Sequence, residues 1–414
     1  MLRRKLIIQL PAASLVAAAG AGFARSSFAA AERYVTVGIS LPFTGADADD
    51  ALLIKNGALL AFEDANAKGV AGYKIRVLVL DDGTATAGQY DPAQAATNAR
   101  KMVSDQSVVA AIGPQMSGSG KAMSPILSEG NLATITPSST NPDITDPKFA
   151  QQFRPAGKAV YFRTVTTDAF QGPNMANYFA QTLKVKTIYV LDDSGAYGVG
   201  IANAFAAQAA KDGIKVLGHD QLDPKEADYT TILTKIKAMN PQALYYGGVA
   251  QAGVKVAKQS ADILPKVLKG GGDGMYSSSL LKGAGFPACE GWYATIAAPH
   301  VVNSPALAAW VKRFTKTYGK APEDYSITSY DAALAIIDAI KRVAASGKPV
   351  TRDAMRDAIQ TSNVKTLQGT VSFDANGDIK NRIVSVFQAH HDPKYPVDDV
   401  SHQYKYLGVA PQTA

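Results

Sequence analysis

Ala110-Ala-Ile-Gly-Pro-Gln-Met-Ser-Gly-Ser-Gly120 and Ala133-Thr-Ile-Thr-Pro-Ser-Ser-Thr140 each set a serine-rich turn directly after a short apolar run. The runs Val108 to Ile112 and Leu132 to Ile135 read as buried parallel strands. The turns Gly113 to Gly120 and Thr136 to Thr140 therefore fall at strand carboxyl ends, where open α/β sheets bind ligands. Hydroxyls and free backbone N–H groups there suit a carboxylate, helped by a helix expected to begin after Ser119. One turn of Gly, Ser and Pro is most simply a turn, but two at equivalent ends of adjacent strands predict an anion site.

Working outward, strand-like and helix-like runs alternate: Tyr34 to Ser40 and Leu52 to Ala67, Tyr73 to Leu80 and Pro92 to Val103, Val108 to Ile112 and Ser119 to Leu127. Repeated βαβ units predict a mostly parallel sheet with helices on both faces. A polar, Pro-rich connection, Asn141 to Gly157, precedes Tyr161 to Val165. The alternation then restarts through Thr187 to Leu191, Gly198 to Ala210, Ile214 to Leu217, Tyr229 to Ala238, Ala243 to Tyr246, Gln251 to Gln259 and Val267 to Leu268. It predicts a second lobe on the same plan. Helices are expected at Pro305 to Tyr318, Ile327 to Ala345 and Arg352 to Thr361. A strand from Gly369 to Phe373, a hairpin turn at Asn376-Gly377 and a strand from Arg382 to Gln388 are expected to close the chain.

At 414 residues the chain exceeds the usual limit of one core, so two domains are the default. Arg3, Arg4 and Lys5 precede an apolar run from Leu6 to Gly22, and Ala29, Ala30 and Ala31 offer cleavage sites, the pattern of a signal peptide over residues 1–31. No later segment approaches the ~20 apolar residues needed to span a membrane. Arg3-Arg4-Lys5-Leu6-Ile7 resembles a twin-arginine export motif, with ordinary secretion as the alternative route. The formal net charge of +7 falls to 7 − 4 = +3 once the leader's Arg3, Arg4, Lys5 and Arg25 are set aside, which removes the electrostatic argument for nucleic acid. Cys289 stands alone, excluding an intramolecular disulfide and a Cys-cluster metal site; it reads as a small buried residue. The five histidines lack the spacing of two ligands on one helical face, so neither metal nor cofactor is expected. Asp192-Asp193 could in principle hold a cation, although polar residues beside a cleft are the simpler reading. Enzyme chemistry is disfavoured: Gly118-Ser-Gly-Lys121 lacks the earlier glycine and the hydroxyl of a phosphate loop, and Ser117 has no identifiable base.

Further motifs carry a resemblance. Val37-Gly-Ile-Ser-Leu-Pro-Phe-Thr-Gly45, Glu63-Asp-Ala-Asn-Ala-Lys-Gly69, Leu80-Asp-Asp82, Thr140-Asn-Pro142, Phe162-Arg-Thr164, Gln171-Gly172, Tyr197-Gly198 and Tyr245-Tyr-Gly-Gly248 occur in this order. Across residues 34 to 408 the chain resembles the periplasmic leucine/isoleucine/valine-binding proteins. The resemblance implies a type I periplasmic binding fold: two doubly wound, parallel-sheet α/β lobes joined by three hinge crossings near 164 to 169, 294 to 299 and 367 to 370. It divides the chain into an N-terminal lobe of residues 34–166 and 298–369 and a C-terminal lobe of 167–297 and 370–409. The function it implies is that of an exported, periplasmic, monomeric solute-binding protein of an ABC importer. Such a protein closes on a small ligand and then serves a permease and its ATPase.

The family's pocket carries over residue by residue. Ser117 matches a serine that holds the ligand carboxylate, Ser138 a residue whose backbone contacts ligand, with Ser139 beside it, and Thr140 a threonine at the α-amino or carboxylate group. Tyr197 matches a tyrosine that closes over the ligand, and Asp273, in Gly270-Gly-Gly-Asp-Gly274, the acid that pairs with the α-ammonium, one methylene shorter than the usual Glu. Val249 stands where relatives carry a further tyrosine. Ala46-Asp-Ala-Asp-Asp50 replaces an aromatic wall, with Asp50 or its neighbour in that place; a solvated loop capping the next helix is the competing reading. Thr84 and Met116 occupy the positions of the family's disulfide. The implied ligand is a branched-chain or other aliphatic amino acid. An aromatic acid, an amide, urea, or a sensor-associated ligand stay open as alternatives.

Overall fold

The structure is a computed structural model and describes residues 33–413; the expected leader, its twin-arginine-like motif and its cleavage site lie outside the described residues. Apolar residues on the predicted strands pair into two sheets. The first, all parallel, runs in the order Tyr73–Asp81, Arg33–Leu41, Val108–Ile112, Thr134–Thr136, Tyr161–Arg163. In chain order this is 2-1-3-4-5, a doubly wound sheet whose switch point lies between Arg33–Leu41 and Val108–Ile112. Every residue of Val108–Ile112 is buried, as a central strand covered on both faces requires.

The second sheet repeats this order in Lys215–Gln221, Thr187–Asp192, Ala243–Gly247, Leu268–Gly271 and Tyr293–Ile296, all parallel. Two antiparallel strands, Ser385–Ala389 and Tyr404–Val409, extend it. The sheet is therefore mixed, because the returning chain adds its last strands as a hairpin-like edge without a crossover helix. Phe205 stacks on Tyr245 beneath it with ring centroids 3.7 Å apart. Among the described residues no helix is long and apolar enough to cross a membrane.

Several expectations change. The alternation was expected to restart with Thr187 to Leu191; Tyr161–Arg163 completes the first sheet, and the second part begins earlier, with the helix Asp168–Gln181. The Pro-rich connection folds into short helical turns at Pro142–Ile144 and Pro147–Phe149, each capped by the preceding Asn141 or Asp146 side chain. Asn376-Gly377 does make a turn, in which Asp374 accepts from the amides of Asn376, Gly377 and Asp378. It does not join the two expected strands: Gly369–Ser372 pairs with Asn363–Thr366, and Ser385–Ala389 pairs elsewhere. A period-two pattern identifies strands but not their partners.

Three connections run side by side between the sheets. Thr166 N–H donates to Ala297 C=O at 2.8 Å, Gln368 Nε2 to Thr164 C=O at 3.1 Å, and Ser385 Oγ to Ala298 C=O at 2.8 Å. The segment after Gly369, expected with the second sheet, stays against the first. Phe373 packs on Phe162 and Gly377 C=O accepts from Arg163 N–H, so the third passage falls after Ile379.

Candidate functional site

Both switch points face one cavity, lined from the two sheets by Ser117, Ser138, Tyr197 and Asp273 among others. On the first-sheet side, Gly113 leaves the strand with φ +105°, a left-handed turn that suits glycine; a Cβ there would meet Ser40 C=O at 2.4 Å. The next helix is Ser117–Glu129, two residues longer at its start than the sequence predicted, so Ser117 is its first residue and not part of the turn. No side chain caps that helix, leaving first-turn amides available to an anion. Ser117 Oγ accepts from Asn141 N–H at 3.2 Å and from Ser139 Oγ at 3.3 Å. With those lone pairs engaged, its own proton is left for the cavity.

Of the predicted residues, Ser117, Ser138, Tyr197, Val249, Asp273 and Asp50 line the cavity. Ser139 and Thr140 do not. Both are buried behind the wall, Ser139 supporting Ser117 through its hydroxyl. The serine turn is held from below by Arg163, fully buried in the last strand of the first sheet. Its guanidinium donates to Ser139 C=O at 2.7 Å, Asn141 C=O at 2.8 Å, Thr145 Oγ1 at 3.0 Å and Asp378 Oδ1 at 2.8 Å.

On the second-sheet side, Asp193 shapes the turn after Thr187–Asp192. It accepts from Gly195 N–H at 2.9 Å and Val249 N–H at 3.0 Å, which sets Tyr197 and Val249 at the cavity. Its neighbour Asp192 pairs with His219 Nε2 at 2.7 Å. These are structural duties, and among the described residues no group of His, Cys, Asp and Glu suits a metal ion. Asp273 follows the strand Leu268–Gly271 and accepts from Tyr197 Oη, Gln171 Nε2 and Tyr325 Oη, each at 2.6 Å. Burial nevertheless outweighs the three donors and raises its carboxyl above the ordinary range. Asp168, which shares Gln171 as donor, is raised well above that range by burial and by the Asp273 charge. A Cβ at Gly272 would meet Tyr197 Oη at 2.2 Å, so glycine permits the Tyr197–Asp273 contact.

The solvated-loop reading of Asp47, Asp49 and Asp50 fails: Asp49 lies in the first helical turn, half-buried, and pairs with the exposed Lys282. The helix begins at Ala48, and Asp47 and Asp50 are 2% and 7% exposed. Asp50 reaches across the cleft: it accepts from Ser277 Oγ at 2.6 Å, from Ser278 Oγ and N–H at 2.8 Å, and from Ser279 N–H at 3.4 Å. Asn141 Nδ2 to Ala196 C=O at 2.8 Å and Gln251 Nε2 to Ala87 C=O at 3.0 Å also bridge the two sides. The structure is a closed cleft.

Sequence reasoning missed Gln115, Met116, Tyr276, Ser277, Glu323 and Tyr325 among the lining residues. The first two sit inside the quoted turn. Glu323 and Tyr325 open the helix Asp324–Ala345, which was expected only from Ile327. The signal was an acid followed three residues later by a hydroxyl: Glu323 N–H donates to Ser326 Oγ at 3.2 Å.

Two sheets with parallel cores and repeated switch points around one closed cleft describe a receptor, and residues 34–392 match the sequence profile of the periplasmic binding proteins. The chain belongs to the periplasmic binding protein family. The Leu/Ile/Val-binding protein homolog 1 of Brucella suis is 30% identical over 347 residues, covering 84% of this chain and 88% of that one. Among solved structures, a leucine-binding protein, LivK, of Thermotoga maritima superposes with a TM-score of 0.77 at 24% identity, covering 91% of this chain and 98% of that one. An ABC-transporter solute-binding protein of R. palustris in complex with benzoate gives a TM-score of 0.73 at 19% identity, covering 92% and 98%. At these identities the solved structures establish the fold. This periplasmic binding protein is a solute-binding protein and not an enzyme.

Proposed function

We propose that this protein is the exported solute-binding subunit of an ABC importer and that it closes in the periplasm over a small α-amino acid. The arrangement that carries this reading is the opposition, across one cavity, of Ser117 and its uncapped helix to the Asp273 carboxylate. Neutral donors suit a carboxylate, an acid suits an ammonium, and a zwitterion that bridges them draws the two sides together. Relatives named for Leu, Ile and Val support an amino acid as ligand. Residues 34–166 with 298–379 form one lobe and 167–297 with 384–409 the other, and the three hydrogen-bonded connections form the hinge. The leader exports the chain, and the closed monomer is what a permease and its ATPase read. A benzoate-bound relative keeps an amine-free aromatic acid in view; buried acids around the cavity oppose it, because each would repel an anion at low dielectric.

The deciding experiment is a thermal-shift screen of the mature, ligand-stripped protein against aliphatic amino acids, aromatic acids, amides and urea. A ligand at 100 times its Kd adds about 2.7 kcal/mol to stability. Stabilisation by amino acids that is weakened in Ser117→Ala and in Asp273→Asn supports the reading. Stabilisation by an amine-free acid alone overturns it.

A further inference from the structure

Three of the residues that line the cavity carry buried acceptors without partners. Asp47, Gln115 and Glu323 all line it, with relative exposures of 2%, 9% and 2%. Each has a buried oxygen with no hydrogen-bond partner: Asp47 Oδ2, Gln115 Oε1 and Glu323 Oε1. With both acids ionised all three are acceptors, which a positively charged donor would meet. Buried acceptors are almost always met by a partner, and leaving one unmet costs about 1–3 kcal/mol, more for a charged group. Asp50 strengthens the field, but its own oxygens are engaged by Ser277 and Ser278.

No lysine, arginine or histidine is among the residues lining the cavity. Lys282 and Lys320 lie outside, exposed and paired with Asp49 and Asp398. The acids fall into two groups. Asp273 acts on Asp168 and the phenols around it, whereas Asp47 and Glu323 each feel Asp50. A neutral aliphatic side chain would leave this wall unmet and would desolvate it further. A metal ion would need a third ligand in range, and no such cluster exists among the described residues.

We propose that the unpaired carboxylate oxygens of Asp47 and Glu323, with Gln115 Oε1, receive a second cationic nitrogen of the ligand. The ligand class is then a basic amino acid, with an ammonium or guanidinium on its side chain. This rests on the zwitterion reading above: Ser117 takes the carboxylate, Asp273 the α-ammonium, and the Asp47–Glu323 wall the distal cation.

The test uses the mature, ligand-stripped protein and titration calorimetry with L-lysine, L-ornithine, L-arginine, L-norleucine, L-leucine, benzoate and urea. Norleucine keeps the aliphatic chain of lysine without its charge. At least one basic amino acid is expected to bind roughly tenfold or more tighter than norleucine, the value of one charge-assisted contact. That ratio is expected to collapse towards one in Asp47→Asn and to fall in Glu323→Gln. Because both ligands are measured on the same preparation, a general loss of folding lowers both affinities and leaves the ratio. Leucine or norleucine binding as well as or better than every basic amino acid overturns this inference and leaves the zwitterion reading intact. Binding of benzoate or urea without any amino acid overturns both. An unchanged ratio in the two variants removes Asp47 and Glu323 from the role.

Discussion

Asp50→Ala should loosen the closed cleft while Ser117, Asp273, Asp47 and Glu323 themselves stay in place. The carboxylate leaves the first-sheet helix Ala48–Lys68 and accepts three short bonds, 2.6, 2.8 and 2.8 Å, plus a long one, from the start of the helix Ser278–Ala284 on the other side. Bonds to a charged acceptor are worth about 1.5–3 kcal/mol each. Against them stands the desolvation of the carboxylate, several kcal/mol. Its direction is visible in Asp50 itself, whose carboxyl is raised because burial outweighs the serine donors. What the Ala variant loses is set by the donors it strands: in the closed form Ser277 and Ser278 would be left without their acceptor, which costs about 2 kcal/mol of closure. Ligand binding and closure draw on the same equilibrium, so affinity should fall about 30-fold, chiefly through faster release. Calorimetry and stopped-flow dissociation measure the loss, and small-angle scattering of the ligand-bound variant should show a larger open fraction. Unchanged affinity together with an unchanged closed fraction would refute the latch.

The remaining predictions concern the site and its supports. Burial, then the charges of Asp50, Asp193 and Asp82, push Asp47 from 3.8 up to about 8, against the pull of the Ala250 amide. A raised acid favours folding in its protonated form, so its contribution is complete below about pH 4 and is lost as pH rises through 8. Asp82, at about 7, and Asp193, at about 6, add slopes of the same sign. Asp47→Asn should therefore flatten, not abolish, the fall in Tm of the ligand-free protein between pH 4 and 8; an identical profile removes the assignment. Arg163→Leu strands the Asp378 charge and frees the carbonyls of Ser139 and Asn141, so it should cost about 3–5 kcal/mol in urea unfolding. Loss within 1 kcal/mol would contradict the support given to the serine turn. Gly272→Ala places a Cβ against Tyr197 Oη and Ile201 Cδ1, and overpacking of this kind costs about 1–3 kcal/mol. Its Tm should drop and Asp273 should lose the Tyr197 donor, so amino-acid affinity falls further than in a stability-matched Phe205→Val control.

What was legible in the sequence followed from local periodicity and punctuation. Val108–Ile112 was located to the residue because a fully buried parallel strand is a short unbroken apolar run ended by Gly113. The helix Ser117–Glu129 was placed two residues late, because Ser-Gly-Ser-Gly has low helix propensity and its start is fixed by its contacts with neighbouring segments. Cys289 was read as a small buried residue, and burial pushes its thiol up to about 12.

By itself, the amino-acid order determined two repeats of alternating strand and helix and the turns at which a ligand could sit, the serine turn with Ser117 among them. Those are local facts: a period, a turn residue, a spacing. Only the tertiary structure decided that Glu323 and Tyr325 reach the same cavity as Asp47, 276 or more positions earlier in the chain. It also decided that Asp50 is a latch between the two sides, that Thr140 and Ser139 stand behind the wall, and that Asp47 and Glu323 are left with unpaired oxygens. Burial and partner choice are properties of the assembled sheets. The same aspartate is an ordinary solvated acid in a loop and a strongly perturbed one when two switch points close over it.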